Sequence, residues 1–421
     1  MTSSKRLILL GAFVVLAALV VVTTVATHNV LTEPHPGHND FMSRWEGARS
    51  FWRNGLNPYG DEASLNIQER IYGRASTDDE DPGYFAYPFY TVFLVWPVVY
   101  TTYAWASAIW MVALEVCLIA ALILLLDLLR WQPKPWLLVV LLLWTLLNYY
   151  AGRGLILGQP GIIVYALQAL ALWALAKNRE WLAGSALALS TIKPQMGFLL
   201  VPLLLLWSAR VQRWPFVGAF VGTWGGLMLL SFALEPTWFG DWIEQVQRYP
   251  SYTEIGAPVW DVTQHYLGLG VVGEWTVNLA LYALMLWAWY GVLVRQQHER
   301  LVWTVVLTLT ITHMSAVRTA TPHYVVFTIP LLFYLRWLAQ RRRGHLWIMV
   351  ILLVLLVLPW AHFLVTVEGE FEHPTLYLPV PFTLLPLLWF TRQQWWDKPF
   401  FSLPTPAEVR EGSYAAQSST R

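Results

Sequence analysis

The sequence predicts an all-α, polytopic membrane protein. Three observations carry that expectation. Apolar runs of about 20 residues recur along the chain, each long enough to cross ~30 Å of hydrocarbon. Of 421 residues, 57% are hydrophobic and only 13% are charged, against about 25% charged in soluble domains. Trp occurs 26 times, and Trp favours the membrane–water boundary. A β-barrel would instead show short alternating segments. The net charge of +1 and the lack of a basic tract give no reason to expect a nucleic-acid partner. The single Cys117 excludes an intrachain disulfide.

The elements follow in order. Residues 7–26 form the first apolar run, behind Lys5 and Arg6. The run is longer than a signal-peptide core and lacks an A-x-A cleavage site, so a retained first helix is expected. Lys and Arg mark cytoplasmic ends, which places the N-terminus inside and residues 28–84 outside as a first external loop. That loop holds ten carboxylates against five arginines, and residues 65–72 suit a short surface helix. Residues 85–103 are aromatic and bounded by Pro88 and Pro97. They are expected to lie at the interface, because the later basic residues then fall on consistent sides.

Spans are expected at 105–126, 136–150 and 161–175. Residues 181–207 carry Lys193-Pro194 at their middle. Proline interrupts helical hydrogen bonding and a lysine at the bilayer centre is costly, so two short helices meeting at a turn are expected there. Further spans follow at 215–233, 271–294, 301–315, 324–338, 347–367 and 377–390, with a second external loop at 234–268. The total is about twelve crossings with both termini cytoplasmic. Residues 1–392 would then form one transmembrane catalytic domain, and 393–421 a polar, disordered cytoplasmic tail.

On this topology the external side gathers Asp40, Arg153, Lys193, Arg318 and His323. Walker A, H-E-x-x-H and G-x-S-x-G patterns are absent from the sequence. Glycosyl transfer from a lipid phosphate needs a base for the acceptor hydroxyl, and Asp40 is the carboxylate proposed for it. The departing phosphate needs cations at headgroup depth, which Lys193, Arg318, His323 and Arg153 could supply. Arg44, Tyr59, Tyr87 and Gln159 are expected to line the substrate cavity. Asp40 also reads as a helix N-cap, and Glu46, Asp61, Asp241 and Asp261 are other possible acids that also read as solvated loop charges. Arg153 and Arg318 also suit interfacial snorkelling, and Gln159 a bond to a neighbouring helix. This chemistry requires no cofactor and no metal.

Asp40 after the first helix, Trp45-Glu46-Gly47-Ala48-Arg49, Gly55-Leu56-Asn57-Pro58-Tyr59, Tyr87-Pro88, Gly158-Gln159, Gly184 and Lys193-Pro194 together resemble glycosyltransferase family 87, over most of the chain to about residue 340. The resemblance implies a GT-C-type fold with an extracytoplasmic active site, a polyprenyl-phosphate sugar donor with mannose the expected sugar, inversion at the anomeric carbon, and Asp40 as the base. Some members carry tandem histidines late in the chain where this sequence has the single His323. The expected setting is a plasma membrane and its lipid bilayer, with a glycolipid or glycan acceptor. A flippase of lipid-linked sugars and a non-catalytic envelope-assembly scaffold are the rival readings.

Overall fold

The computed structural model describes residues 3–37, 39–77, 80–252, 257–316, 319–369 and 372–397. Arg318 and the tail from residue 398 lie outside the described residues. Helices dominate, and no extended strand occurs among the described residues. Each of the twelve expected apolar segments is helical. Among the described residues, six spans are long and apolar enough to cross a membrane: Leu10–Thr32, Tyr103–Leu128, Trp214–Leu234, Gly270–Leu293, Gly344–Thr366 and Pro374–Asp397. A seventh arises if Pro135–Leu147 and Tyr149–Ile156, bent by 48°, count as one. The chain is thus a polytopic helical membrane protein.

The chain divides into two compact units. The first comprises Met1–Cys117, Leu155–Gln159 and Leu230–Thr253. Its α1 (Ser3–Thr27) exposes large apolar side chains from Leu10 onward, as a lipid-facing helix does. Helix α2 (Asp40–Asn54) begins at Asn39, whose side chain accepts from Phe41 N, and ends at the left-handed Gly55 (φ 67°). Helix α3 (Asp61–Tyr72) covers the expected surface helix.

The aromatic stretch after it forms no long helix. It contains only α4 (Thr91–Val95) and one 3₁₀ turn, Trp96–Val98. Three α2 side chains hold this stretch by its carbonyls. Trp52 Nε1 donates to Val92 O at 3.0 Å, Trp45 Nε1 to Val98 O at 3.1 Å and Arg49 Nη1 to Val99 O at 2.9 Å. Gly47 permits the approach, since a Cβ there would stand 2.6 Å from Phe85 Cδ2. Helix α5 (Tyr103–Leu128) follows.

The second unit comprises Leu118–Gly154, Pro160–Leu229 and Glu254–Arg421. Within the chain, α6 (Pro135–Leu147) and α7 (Tyr149–Ile156) are followed by α8 (Gly161–Ala176) and α9 (Glu180–Leu189). The break expected at Lys193-Pro194 is present: two 3₁₀ turns, Ser190–Ile192 and Pro194–Met196, separate α9 from α10 (Leu200–Arg210). Helix α11 (Trp214–Leu234) crosses α9 closely, since a Cβ on Gly184 would stand 2.3 Å from Phe216 O. Arg213 is buried and ion-paired to Glu180 at 2.7 Å.

Helix α12 (Trp238–Tyr252) belongs to the first unit. The second unit continues with α13 (Pro258–Trp260), α14 (Gly270–Leu293) and α15 (Leu301–Ser315). Every residue of α15 is buried. A helix apolar all round belongs in a core. Two of its threonines bond within the helix: Thr310 and Thr312 donate to Val306 O and Thr308 O. Helices α16 (Thr328–Ala339), α17 (Gly344–Thr366) and α18 (Pro379–Asp397) complete the unit. The polar tail expected from residue 393 is helical as far as Asp397.

Candidate active site

In the first unit, Asp40 is the first residue of α2, and the cap is Asn39. The cap reading of Asp40 is therefore corrected: its side chain has no capping duty. The Asp40 carboxylate is half-buried and accepts at Oδ2 from Gln159 Nε2. No arginine or lysine forms an ion pair with it among the described residues. Arg44 donates to the Asp40 carbonyl and to the Tyr87 hydroxyl, and its guanidinium lies 4.3 Å from the centre of the Tyr87 ring.

Gln159 reaches Asp40 because the turn before it is fastened to the start of α2. Asn39 Nδ2 donates to Ile156 O at 2.9 Å and Trp110 Nε1 to Gly158 O at 2.8 Å. Gly158 has φ +63°, and a Cβ there would stand 2.6 Å from Phe41 Cβ. Only glycine meets both demands at little cost. Tyr103 OH donates to Asn39 Oδ1 at 2.7 Å from the start of α5.

The Gly55–Tyr59 stretch is a turn with a purpose. Asn57 Oδ1 accepts from Tyr59 N at 3.0 Å, while Asn57 Nδ2 donates to Asp241 Oδ2 at 2.7 Å. Tyr59 is buried, and its hydroxyl donates to Tyr87 O at 2.6 Å. Tyr59 thus holds the backbone of the residue that Arg44 contacts.

Burial lowers the Arg44 guanidinium's pKa, but neighbouring Tyr87 and Asp40 more than offset it, and the net shift is upward. Burial raises the Tyr87 phenol, which keeps its O–H as a donor at neutral pH. Tyr249 on α12 lies within electrostatic reach of Tyr87, Asp40 and Arg44. Sequence reasoning missed it. Its signal is the helical spacing of Trp238, Trp242, Gln245 and Tyr249, of which Trp238 and Gln245 are buried.

In the second unit, Lys193 is buried between its two 3₁₀ turns at φ −130°, ψ 82°. His323 is buried in a 3₁₀ segment, Thr321–Phe327, and its Nδ1 accepts from Ala320 N at 3.2 Å. The Lys193 turn and His323 share a neighbourhood. A Cβ on Gly161 would stand 3.2 Å from both His323 Cδ2 and Met196 Sδ, and Met196 N donates to Lys193 O at 3.1 Å.

Arg153 has a different environment from the one expected. Its Nε pairs with Glu372 Oε1 at 2.9 Å, and both side chains are largely buried. Tyr149 OH donates to the same oxygen at 2.8 Å and Thr321 Oγ1 to Oε2 at 2.6 Å. Its charge is matched within the protein, which corrects the snorkelling reading and gives the guanidinium a protein partner beside the expected phosphate. Arg318 lies outside the described residues.

Two carboxylates expected as solvated loop charges are buried. Glu46 is 4% exposed and bonded by Arg70 Nε at 3.2 Å. Asp261 is 1% exposed, and neither oxygen has a hydrogen-bond partner among the described residues. Asp241 is held by Asn57 and by Thr237, whose hydroxyl donates at 2.7 Å.

Spanning helices together with a polar acid–arginine–tyrosine cluster at the start of α2 define a membrane protein with a polar candidate site. The model of glycosyltransferase family 87 matches residues 85–318. The chain belongs to that family, and it is a glycosyltransferase. The matched region includes Tyr87, Arg153, Gln159 and Lys193, and it ends at Arg318. Asp40, Arg44, Tyr59 and His323 fall outside it, so the match is shorter than the resemblance to about residue 340. No curated protein and no solved structure matches the chain.

Proposed function

We propose that the protein transfers a sugar, mannose being the expected one, from a polyprenyl-phosphate donor to an acceptor hydroxyl, with inversion at the anomeric carbon. Asp40 is the general base. The observation that carries this role is the state of its carboxylate: Oδ2 is held by the Gln159 amide, while Oδ1 has no protein donor among the described residues. A bound cation would compete with the acceptor proton for those lone pairs, whereas a neutral amide orients the group and leaves one oxygen to act.

In the step itself, the acceptor oxygen attacks the anomeric carbon as Asp40 takes its proton. The bond from that carbon to the donor phosphate oxygen breaks, and its electron pair leaves with the polyprenyl phosphate. Arg44 and Tyr87 orient the acceptor side. The leaving phosphate gains charge and calls for cations. Lys193 is our first assignment for that duty and His323 the second, with Arg318 a further cation of the same sequence region. We assign Arg153 to holding Glu372 instead. The donor's polyprenyl chain resides in the bilayer, and the acceptor is a glycolipid or glycan on the extracytoplasmic face of the plasma membrane.

The test is transfer by purified protein from polyprenyl-phosphate mannose to an envelope lipid extract. Asp40→Asn is expected to lower turnover by at least about 100-fold, the scale of general-base catalysis, with an unchanged thermal midpoint. Equal turnover by the folded variant would remove Asp40 from the mechanism. Donor uptake without any transfer by the native chain would favour a flippase.

A further inference from the structure

A polar cleft lies in the first unit, on the α2–α3 surface. Its volume is about 350 Å³, and it is walled by Arg49 and Arg53 of α2 and Arg70 of α3. The same three arginines wall an adjoining hollow of about 260 Å³, whose other side is Tyr100, Thr101, Thr102 and Tyr103. The first three lead into the span Tyr103–Leu128, and Tyr103 begins it. A cleft at the mouth of a spanning helix opens at the depth where lipid headgroups meet water. Tyr100 and nearby Trp96 are 58% and 50% exposed, as amphipathic side chains at that boundary are.

The charges are imperfectly matched. Buried Glu46 bonds Arg70 at 3.2 Å and lies 3.8 Å from Arg49. Arg53 is exposed and has no hydrogen bond or ion pair among the described residues. Burial, then the neighbouring Arg53, lowers the Arg49 guanidinium, a sign that the cluster repels itself. Glu69 also lines the cleft, so with Glu46 the cleft holds three arginines against two carboxylates. Arginine presents a planar fork suited to phosphate oxygens. Asn54 and Asn66 add neutral donors at the same wall.

We infer that the cleft of Arg49, Arg53 and Arg70 binds the phosphodiester headgroup of an anionic membrane lipid. The bilayer presents such a headgroup at this depth, its acyl chains lying beside the exposed Trp96 and Tyr100. This site is separate from Asp40 chemistry and does not depend on the proposed transfer reaction.

The test uses the full chain in detergent and reads its thermal midpoint. Short-chain phosphatidylglycerol, phosphatidylcholine of equal chain length and inorganic phosphate are titrated in parallel. Phosphatidylglycerol is expected to stabilise at a concentration at least tenfold below that of phosphatidylcholine, less so at high salt. Arg53→Glu should raise the required concentration at least tenfold. Asn66→Asp, which leaves every arginine in place, should act in the same direction. Arg53 is exposed, whereas Asn66 is half-buried with its Nδ2 on Ser50 Oγ at 3.3 Å, so the lipid-free midpoint of each variant is read first to establish that it folds. Equal response of the native chain and both variants would overturn the site. Equal potency of the two lipids would overturn the anionic requirement. Equal potency of inorganic phosphate would overturn the lipid assignment in favour of a free anion.

Discussion

Asp40 and Gln159 act as a pair 119 positions apart in sequence. Gln159→Ala removes the bond that orients the carboxylate while leaving the carboxylate itself. A hydrogen bond of about 1 kcal/mol corresponds to a roughly five- to tenfold fall in kcat, with KM little changed, measurable by initial-rate kinetics. Asp261 calls for a different test. Burial raises its carboxyl to about 7, whereas an unfolded aspartate ionises near about 3.9. Between those values the folded chain binds more protons than the unfolded one. Stability is therefore full below about pH 4, falls as pH rises, and levels off above about pH 7. The loss is of order a few kcal/mol at most. Thermal midpoints at pH 5 and pH 8 measure it, and Asp261→Asn should flatten the difference. Tyr266, Tyr324 and Tyr377 are the titratable groups within its electrostatic reach.

At the scale of elements, two fastenings deserve separate tests. The turn at Gly158 combines a positive φ with contact against Phe41. Gly158→Ala should cost roughly 1–3 kcal/mol of stability from strain and overpacking and lower activity by misplacing Gln159. Activity at wild-type level with an unchanged midpoint would show that the turn tolerates the methyl group. In the second unit, Glu372 joins α7 to the segment around Thr321 through Arg153, Tyr149 and Thr321. Glu372→Ala leaves a largely buried arginine unpaired, a cost of roughly 3–5 kcal/mol, read as a lowered midpoint. Arg153→Lys keeps the charge but not the fork. Loss of transfer with an unchanged midpoint in that variant would return Arg153 to the donor phosphate.

At the scale of the whole molecule, the open quantity is the number of crossings. Twelve apolar segments are helical, yet among the described residues six spans, or seven with the bent pair, have the length and composition to cross. Helices α8 and α10, with 16 and 11 residues, span about 24 Å and 17 Å at 1.5 Å per residue, short of ~30 Å. Single cysteines in a Cys117→Ser background, labelled with an impermeant reagent, measure sidedness directly. Labelling at Glu62 from outside and at Arg342 only from inside is expected. Outside labelling at Arg342 would reverse the topology that places the site on the extracytoplasmic face.

Composition and the length of apolar runs determined the membrane class, because water and hydrocarbon sort side chains before any tertiary contact forms. The break at Lys193-Pro194 was legible for the same reason: proline and an embedded lysine disturb a helix locally. The first-loop residues Asp40, Arg44 and Tyr59, with Tyr87 of the aromatic stretch, also stood out, as polar or aromatic groups gathered beside a span. What the tertiary structure decided is their partners. Asn39 rather than Asp40 caps α2, since the cap is set by backbone angles. Arg153 is neutralised by Glu372 across 219 positions, and Gln159 is brought to Asp40 by a glycine turn. Burial of Glu46 and Asp261 was equally invisible in sequence. A carboxylate's environment depends on which distant segments close over it, and local spacing carries no record of them.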